Sequence, residues 1–103
     1  MSILLVRSKV KAEAVPEVEA AVKRVFAALQ RVQPQGIRYS SSLLPDGVTF
    51  VALLEVEDGV DNPLPTLPEF REFSENLKNW LSEPPTAEPL TVVGSYRFFS
   101  SPN

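Results

Sequence analysis

The chain has no cysteine and no histidine among its 103 residues, and its single methionine is residue 1. Without these side chains it cannot form a disulfide, a thiolate or imidazole zinc site, or a Ser-His-Asp or Cys-His nucleophile. Haem ligation through histidine or cysteine is excluded on the same grounds. The remaining possibilities are small-molecule binding, chemistry without a protein-bound metal, and a structural role. We therefore expect neither a metal site nor a cofactor.

Basic clusters and long apolar runs are also missing. Ten Lys and Arg against 13 Asp and Glu give a formal net charge of -3, which does not favour binding to phosphate backbones. The longest apolar runs, Ile3–Val6 and Phe50–Leu54, fall far short of the roughly 20 residues that a membrane span needs. No secretory signal is recognised either. We expect a cytoplasmic protein with no nucleic-acid or membrane partner.

The residues that are present indicate one soluble globular domain over residues 1–103, with 44% hydrophobic and 22% charged residues. Apolar residues at spacings of three and four, from Val15 to Val32, predict a helix over Ala14–Gln33. Pro16 suits the first turn of that helix, and Pro34 and Gly36 would end it. A second apolar stripe, with Thr66 as N-cap and Glu69 completing a capping box, predicts a second helix that includes Phe70, Phe73, Leu77, Trp80 and Leu81.

Strand-like segments lie before, between and after these helices. The run Pro45-Asp46-Gly47 between two of them has the composition of a tight turn. The proline-rich segment Ser82–Pro89 is interpreted as a loop. The predicted strands are Ile3–Lys11, Ile37–Leu44, Val48–Glu57 and Leu90–Phe99.

The order βαββαβ predicts an α+β, ferredoxin-like fold, in which two helices cover one face of a four-stranded antiparallel sheet. The first and third strands are central in that topology, and here they carry the most apolar runs. Alternation leaves large apolar side chains on the face opposite the helices, where water would otherwise meet them. The sheet of a second copy is the simplest way to shield these side chains from water, so we predict a homodimer formed through the sheet faces. The residues concerned are Ile3, Leu5, Leu44, Val51, Leu53, Val93 and Phe99.

A βαββαβ chain with an apolar open sheet face resembles the dimeric α/β-barrel superfamily, specifically the antibiotic-biosynthesis-monooxygenase-like proteins. The resemblance covers most of the chain, from Ile3 to about Phe99. Its most specific stretches are Gly36-Ile37-Arg38-Tyr39-Ser40, Leu44-Pro45-Asp46-Gly47-Val48-Thr49-Phe50, Leu67-Pro68-Glu69-Phe70-Arg71-Glu72-Phe73 and Val92-Val93-Gly94-Ser95-Tyr96-Arg97.

The resemblance implies a cofactor-independent monooxygenase acting on a small aromatic or polyketide-like compound held between sheet and helices. Family members use an Asn, a Trp and an Arg, which here correspond to Asn76, Trp80 and Arg97 as catalytic candidates. Asn76 and Trp80 stand four apart on one helix flank, and Arg97 would stabilise an anionic oxygenated intermediate. The expected ligand-binding residues are Tyr39, Phe50, Phe73 and Tyr96, and the Ser82–Pro89 loop would form the rim of the opening.

Other interpretations of the same residues stay open. Trp80 can be a core anchor and Asn76 a solvated position, and strand alternation places Arg97 on the opposite sheet face. Because the superfamily hosts several activities, the alternative function is a non-catalytic small-ligand-binding or structural homodimer. A group of charged residues predicted on the open sheet face is interpreted first as ion pairs and second as a binding site for a carboxylate or phenolate. It comprises Arg7, Arg38, Arg97 and Glu55.

Overall fold

A computed structural model of the chain describes residues 2–97. It contains four strands and two α-helices, with short 3₁₀ turns at Ala12–Ala14 and Leu64–Thr66. None of its helices is both long and apolar enough to cross a membrane. In chain order the main elements are β1 (Ser2–Lys9), α1 (Val15–Val32), β2 (Ile37–Leu43), β3 (Thr49–Val56), α2 (Pro68–Trp80) and β4 (Thr86–Leu90).

The sheet has the strand order β2-β3-β1-β4, and every neighbouring pair is antiparallel. The central strands are therefore β1 and β3, whose register runs from Ser2 opposite Val56 to Lys9 opposite Thr49. With two helices, this arrangement confirms the predicted ferredoxin-like α+β fold.

Helix α1 forms where the spacing of apolar residues predicted it, and its bounds differ from the prediction by one residue at each end. Its inner face buries Val18, Ala21, Val25 and Ala28. The helix ends at Gln33, whose φ of 51° is left-handed and whose N–H donates to the Leu29 carbonyl at 2.8 Å.

The turn between β2 and β3 confirms the expectation from Pro45-Asp46-Gly47. Oδ1 of Asp46 accepts hydrogen bonds from the backbone N–H groups of Val48 and Thr49, each at 2.9 Å. Oδ2 accepts a third from the Thr49 hydroxyl at 2.6 Å. These bonds, with the hydroxyl as the largest cause, hold the pKa of Asp46 below its ordinary value. Gly47 supplies the positive φ, 77°, that the turn requires.

The start of α2 differs from the prediction. Thr66 is not its N-cap, because the residue belongs to a 3₁₀ turn in which its hydroxyl donates to the Pro63 carbonyl at 2.6 Å. The helix instead begins at Pro68 after Leu67, with no side-chain cap. Glu69 completes no capping box, and its Oε2 accepts a hydrogen bond from Nη2 of Arg31 at 3.1 Å.

The prediction for the last strand was wrong. The strand is Thr86–Leu90, all but its last residue lies in the segment interpreted as a loop, and residues 91–97 form no strand. Thr86–Leu90 pairs only with β1, from Thr86 opposite Arg7 to Leu90 opposite Ile3. A proline is tolerated in such an edge strand, where one row of backbone groups needs no partner. Phe98 and Phe99, which the predicted strand included, lie outside the described residues.

Candidate functional site

A cavity of about 280 Å³ lies between the sheet and the two helices. Strands β1, β2 and β3 of the sheet form its floor, and both helices form its roof. Across residues 2–97, no Asp, Glu, Lys or Arg lines it. The lining residues are Leu4, Val6, Ser8, Val10, Val18, Val22, Val25, Phe26, Tyr39, Ser41, Phe50, Ala52, Leu54, Asn62, Leu64, Phe70, Phe73, Ser74 and Leu77.

Four aromatic rings form one wall of this cavity. The ring of Tyr39 on β2 stacks on Phe26 of α1, with centroids 5.3 Å apart and planes 10° from parallel. Phe70 of α2 meets the Tyr39 ring edge-on, at 6.5 Å and 72°. Phe73 continues the wall at 6.4 Å from Phe70. Contacts from both helices therefore fix the plane of the Tyr39 ring.

Polar groups in the lining are few, and they are uncharged at neutral pH. The Tyr39 phenol is a protonated hydrogen-bond donor at neutral pH, because its ordinary pKa is near 10 and burial raises it further. Asn62 uses its Oδ1 to accept a hydrogen bond from the Leu64 N–H at 3.0 Å. The other polar lining side chains are the hydroxyls of Ser8, Ser41 and Ser74. The site is an apolar pocket with several hydroxyl groups.

Three of the predicted ligand-binding residues, Tyr39, Phe50 and Phe73, do line the cavity. The fourth, Tyr96, does not: its side chain is 82% exposed, because the strand expected to turn it inward ends at Leu90.

The structure does not bring the three catalytic candidates to this cavity. Trp80 packs against the core cluster of Val10, Ala14 and Val18, as its alternative role of core anchor requires. Asn76 is half-buried on the same helix but is not a lining residue. Arg97 lies over the ring of Tyr96, with its guanidinium carbon 5.3 Å from the centroid. The catalytic roles of these three residues remain predictions.

The sequence analysis missed several lining residues. Phe26 and Phe70 supply both contacts to Tyr39, yet Phe26 directly follows the buried Val25 at the margin of the apolar stripe of α1. Ser41 was identifiable, because strand alternation puts it on the same sheet face as Tyr39. The expected rim was wrong, since no residue of Ser82–Pro89 lines the cavity.

A second, shallower groove of about 240 Å³ adjoins the cavity beside α1 and β2. It shares Val22, Ser41 and Phe50 with the cavity. Its other lining residues include Glu19 and Lys23, so charged groups occur beside the cavity but not in it.

The open face of the sheet carries part of the charged group that was predicted for it. Arg38 lies opposite Glu55 in the register, and the Arg38 Nη1 is 3.3 Å from Oε1 of Glu55. The same nitrogen is 4.0 Å from Oε2 of Glu57. Arg97, which was expected on this face, lies beyond the end of β4. The apolar side chains of Leu5 and Leu53 face each other across β1 and β3 and are only half-buried.

Neither a family model nor a curated protein matches the sequence. Solved structures do match. An antibiotic biosynthesis monooxygenase candidate from Nitrosomonas europaea superposes with a TM-score of 0.76 at 15% identity, over 91% of this chain and 100% of that one. Another antibiotic biosynthesis monooxygenase gives 0.74 at 16% identity, over the same shares. SnoaB from Streptomyces nogalater, a cofactor-independent oxygenase, gives 0.67 at 19% identity, over 91% of this chain and 94% of that one.

These likenesses establish the fold. The chain has the ferredoxin-like α+β fold of the antibiotic biosynthesis monooxygenase-like structures, as its sequence resemblance implied. Folds of this kind host several activities, so the cavity and its side chains must carry the argument for function.

Proposed function

We propose that this protein binds a small aromatic or polyketide-like compound in the cavity between its helices and its sheet. The observation that carries the proposal is the cavity itself, which is lined by apolar and aromatic side chains. Its volume of about 280 Å³ is just below the range usual for ligand pockets, about 300–1,000 Å³, so the compound must be small. The aromatic wall around Tyr39 offers ring faces and edges against which a planar compound would stack.

Filling the cavity tests this proposal. Ala52 on β3 is a half-buried lining residue, so Ala52→Leu would place extra carbon atoms inside the cavity. Saturable chemical-shift changes on titration with a panel of flavonoids and hydroxyquinones would measure binding to the wild-type protein. We expect Ala52→Leu to weaken every such interaction at least tenfold, about 1.4 kcal/mol.

The matched control is Ala27→Leu on the exposed side of α1, which should leave the affinities unchanged. Both variants need thermal melts that show a folded chain. If no panel member binds saturably, or if Ala52→Leu binds as tightly as Ala27→Leu, the cavity is not the binding site.

A second candidate function is cofactor-independent monooxygenation of the bound compound, and the shared fold with the oxygenase SnoaB favours it. Without a cofactor, all the electrons that reduce O₂ must come from the substrate. A ring CH₂ beside a phenol or enol can become a carbonyl, with one oxygen atom entering the product and the other leaving as water with the two hydrogens. Asn76, Trp80 and Arg97 are the predicted catalytic residues, but they lie outside the cavity lining, so we rank oxygenation second.

Oxygen consumption separates the two candidate functions. A ligand found in the titrations would be incubated with protein treated with a chelator, and O₂ uptake and product mass would be followed. An oxygenase consumes one O₂ per product carbonyl, whereas a binding protein holds the compound unchanged.

We also propose that two copies associate through the open sheet face. The apolar pair Leu5 and Leu53, together with Val51, supports this arrangement, because each side chain is left half-buried on a face that no helix of the same chain covers.

A further inference from the structure

The ring of Tyr39, which carries the phenol of the cavity lining, is held by two other aromatic rings. Phe26 holds one face of its ring at 5.3 Å, and Phe70 contacts the ring edge-on. Yet the hydroxyl makes no hydrogen bond with any other residue between 2 and 97. The hydroxyl oxygen is not among the fully buried side-chain atoms that lack a partner, so a small molecule can reach it.

Packing alone does not explain a tyrosine at this position. A phenylalanine would make the same stacked contact with Phe26 and the same edge contact with Phe70, and tyrosine adds only the hydroxyl group. The oxygen atom of Tyr39 is therefore available to hydrogen-bond a molecule from outside the chain.

Charge further limits what that partner can be. Among the described residues, the cavity lining contains no cation to neutralise a carboxylate and no anion to neutralise an amine. Two charged side chains of α1, those of Glu19 and Lys23, line the adjoining groove instead. An ionised ligand would lose its hydration in the cavity and gain no opposite charge in return.

We propose that Tyr39 positions the ligand by donating a hydrogen bond from its hydroxyl to a neutral acceptor oxygen, such as a ring ketone, and that the cavity accepts uncharged compounds only. This inference deepens the proposed function and rests on it. Tyr39 would then determine specificity, since it distinguishes an aromatic ketone from a hydrocarbon of the same shape. The hydroxyl is in its donor form at neutral pH, since even the ordinary pKa of a tyrosine is near 10.

Three probes of one ring skeleton test the proposal. 1-Tetralone carries the ketone, tetralin has a CH₂ in its place, and 1,2,3,4-tetrahydro-1-naphthoate carries an ionised carboxylate at pH 7. Dissociation constants would come from two-dimensional NMR titrations of the full chain. We expect 1-tetralone to bind about two- to tenfold more tightly than tetralin, the size of one hydrogen bond, and the carboxylate to bind at least tenfold more weakly than the ketone.

The decisive variant is Tyr39→Phe, which removes a single oxygen atom from the side chain. Tyr39→Phe should abolish the preference for 1-tetralone over tetralin and leave the affinity for tetralin unchanged. The chain offers a matched control in its other tyrosine, since Tyr96 is 82% exposed and outside the cavity. Tyr96→Phe should preserve the wild-type preference. Because only the ratio of two affinities is compared, a modest change in stability does not imitate the expected result.

The outcomes distinguish the inference from the function on which it rests. If neither neutral probe binds, nor any compound of the aromatic panel, the proposed function itself fails. If both neutral probes bind equally, or if Tyr39→Phe keeps the ketone preference, the role of Tyr39 is overturned and ligand binding stands. Tight binding of the carboxylate would overturn the restriction to uncharged ligands.

Discussion

Nη1 of Arg38 lies 3.3 Å from Oε1 of Glu55, its direct neighbour across strands β2 and β3. The two side chains differ sharply in environment, since that of Glu55 is 1% exposed and that of Arg38 is 42% exposed. The second carboxylate oxygen of Glu55 is buried and has no hydrogen-bond partner in the described chain. Arg38 thus supplies the closest positive charge that residues 2–97 place beside the desolvated carboxylate of Glu55 on the open sheet face.

Arg38→Ala should destabilise the protein, because it leaves the buried Glu55 carboxylate without this partner. We expect a loss of about 1–3 kcal/mol in the free energy of unfolding, measured with urea at pH 7. Lys78→Ala is the control, because both side chains of its ion pair with Glu75 are exposed and the pair should contribute about 0–1 kcal/mol. Equal losses in the two variants would contradict this account of Glu55.

The open sheet face should hold two copies of the chain together. Light scattering behind a sizing column is expected to give about twice the monomer mass for the wild type, since two-fold dimers are the commonest oligomers. Leu53→Glu should yield monomers or an unfolded chain, because it buries a charge in the contact. Ala27→Glu, on the exposed side of α1, should remain dimeric. A wild-type monomer at micromolar concentration would rule out this interface.

The hydrogen bonds to Asp46 should make the free energy of unfolding depend on pH in the acidic range. The pKa of Asp46 is lower in the folded chain than in the unfolded chain, so the unfolded state takes up protons first as the pH falls. The stability that Asp46 contributes is present above its unfolded pKa, near 4, and is lost as the pH falls through the folded value. In Asp46→Asn, melting curves between about pH 2 and pH 5 should lose part of their pH dependence.

The Thr49 hydroxyl provides a direct check on the cause of that lowered pKa. Thr49→Val keeps the shape of the side chain and removes the largest of the contributing hydrogen bonds. An NMR titration should then show the Asp46 carboxyl with a higher pKa than in the wild type. An unchanged pKa would mean that the backbone N–H groups of Val48 and Thr49 account for the effect.

Two glycines should respond differently to the same substitution. Gly36 and Gly47 both have positive φ, 82° and 77°, so an alanine at either position strains the backbone. A Cβ at Gly36 would also lie 2.7 Å from Cγ2 of Val60, whereas at Gly47 it would meet open space. Denaturant unfolding should therefore show a larger loss for Gly36→Ala than for Gly47→Ala, by about 1 kcal/mol or more. Val60→Ala combined with Gly36→Ala should recover part of the difference.

The sequence predicted the fold well where local patterns and long-range packing agree. The stripe of α1 and the turn at Asp46 both follow local rules, and the apolar runs of β1 and β3 correctly indicated central strands. The last strand was misplaced because prolines normally signal loops. Whether Pro89 is acceptable depends on β4 lying at the sheet edge, which is a property of the assembled sheet and not of the segment.

The site was predicted only in part, because some of its residues are brought together only in the assembled fold. Tyr39, Phe50 and Phe73 were found because strand alternation and helical spacing fix which way they face. Tyr96 was assigned to the cavity because the predicted last strand included it. The strand ends at Leu90 instead, and Tyr96 is exposed at the surface. The stack of Phe26 on Tyr39 joins two elements whose relative position no local pattern specifies.

The place of β1 in the sheet has a consequence for how the chain reaches its native state. This strand pairs with β3 on one side and with β4 on the other, and Ile3 lies opposite Leu90, near the far end of the described chain. During synthesis, β1 leaves the ribosome before β3 and β4, so both of its edges can be paired only after Leu90 has been made. Such long-range contacts slow folding, because loop closure comes before the contacts that stabilise it. Until then β1 exposes an unpaired apolar edge, and this interval is when the nascent chain is most exposed to aggregation.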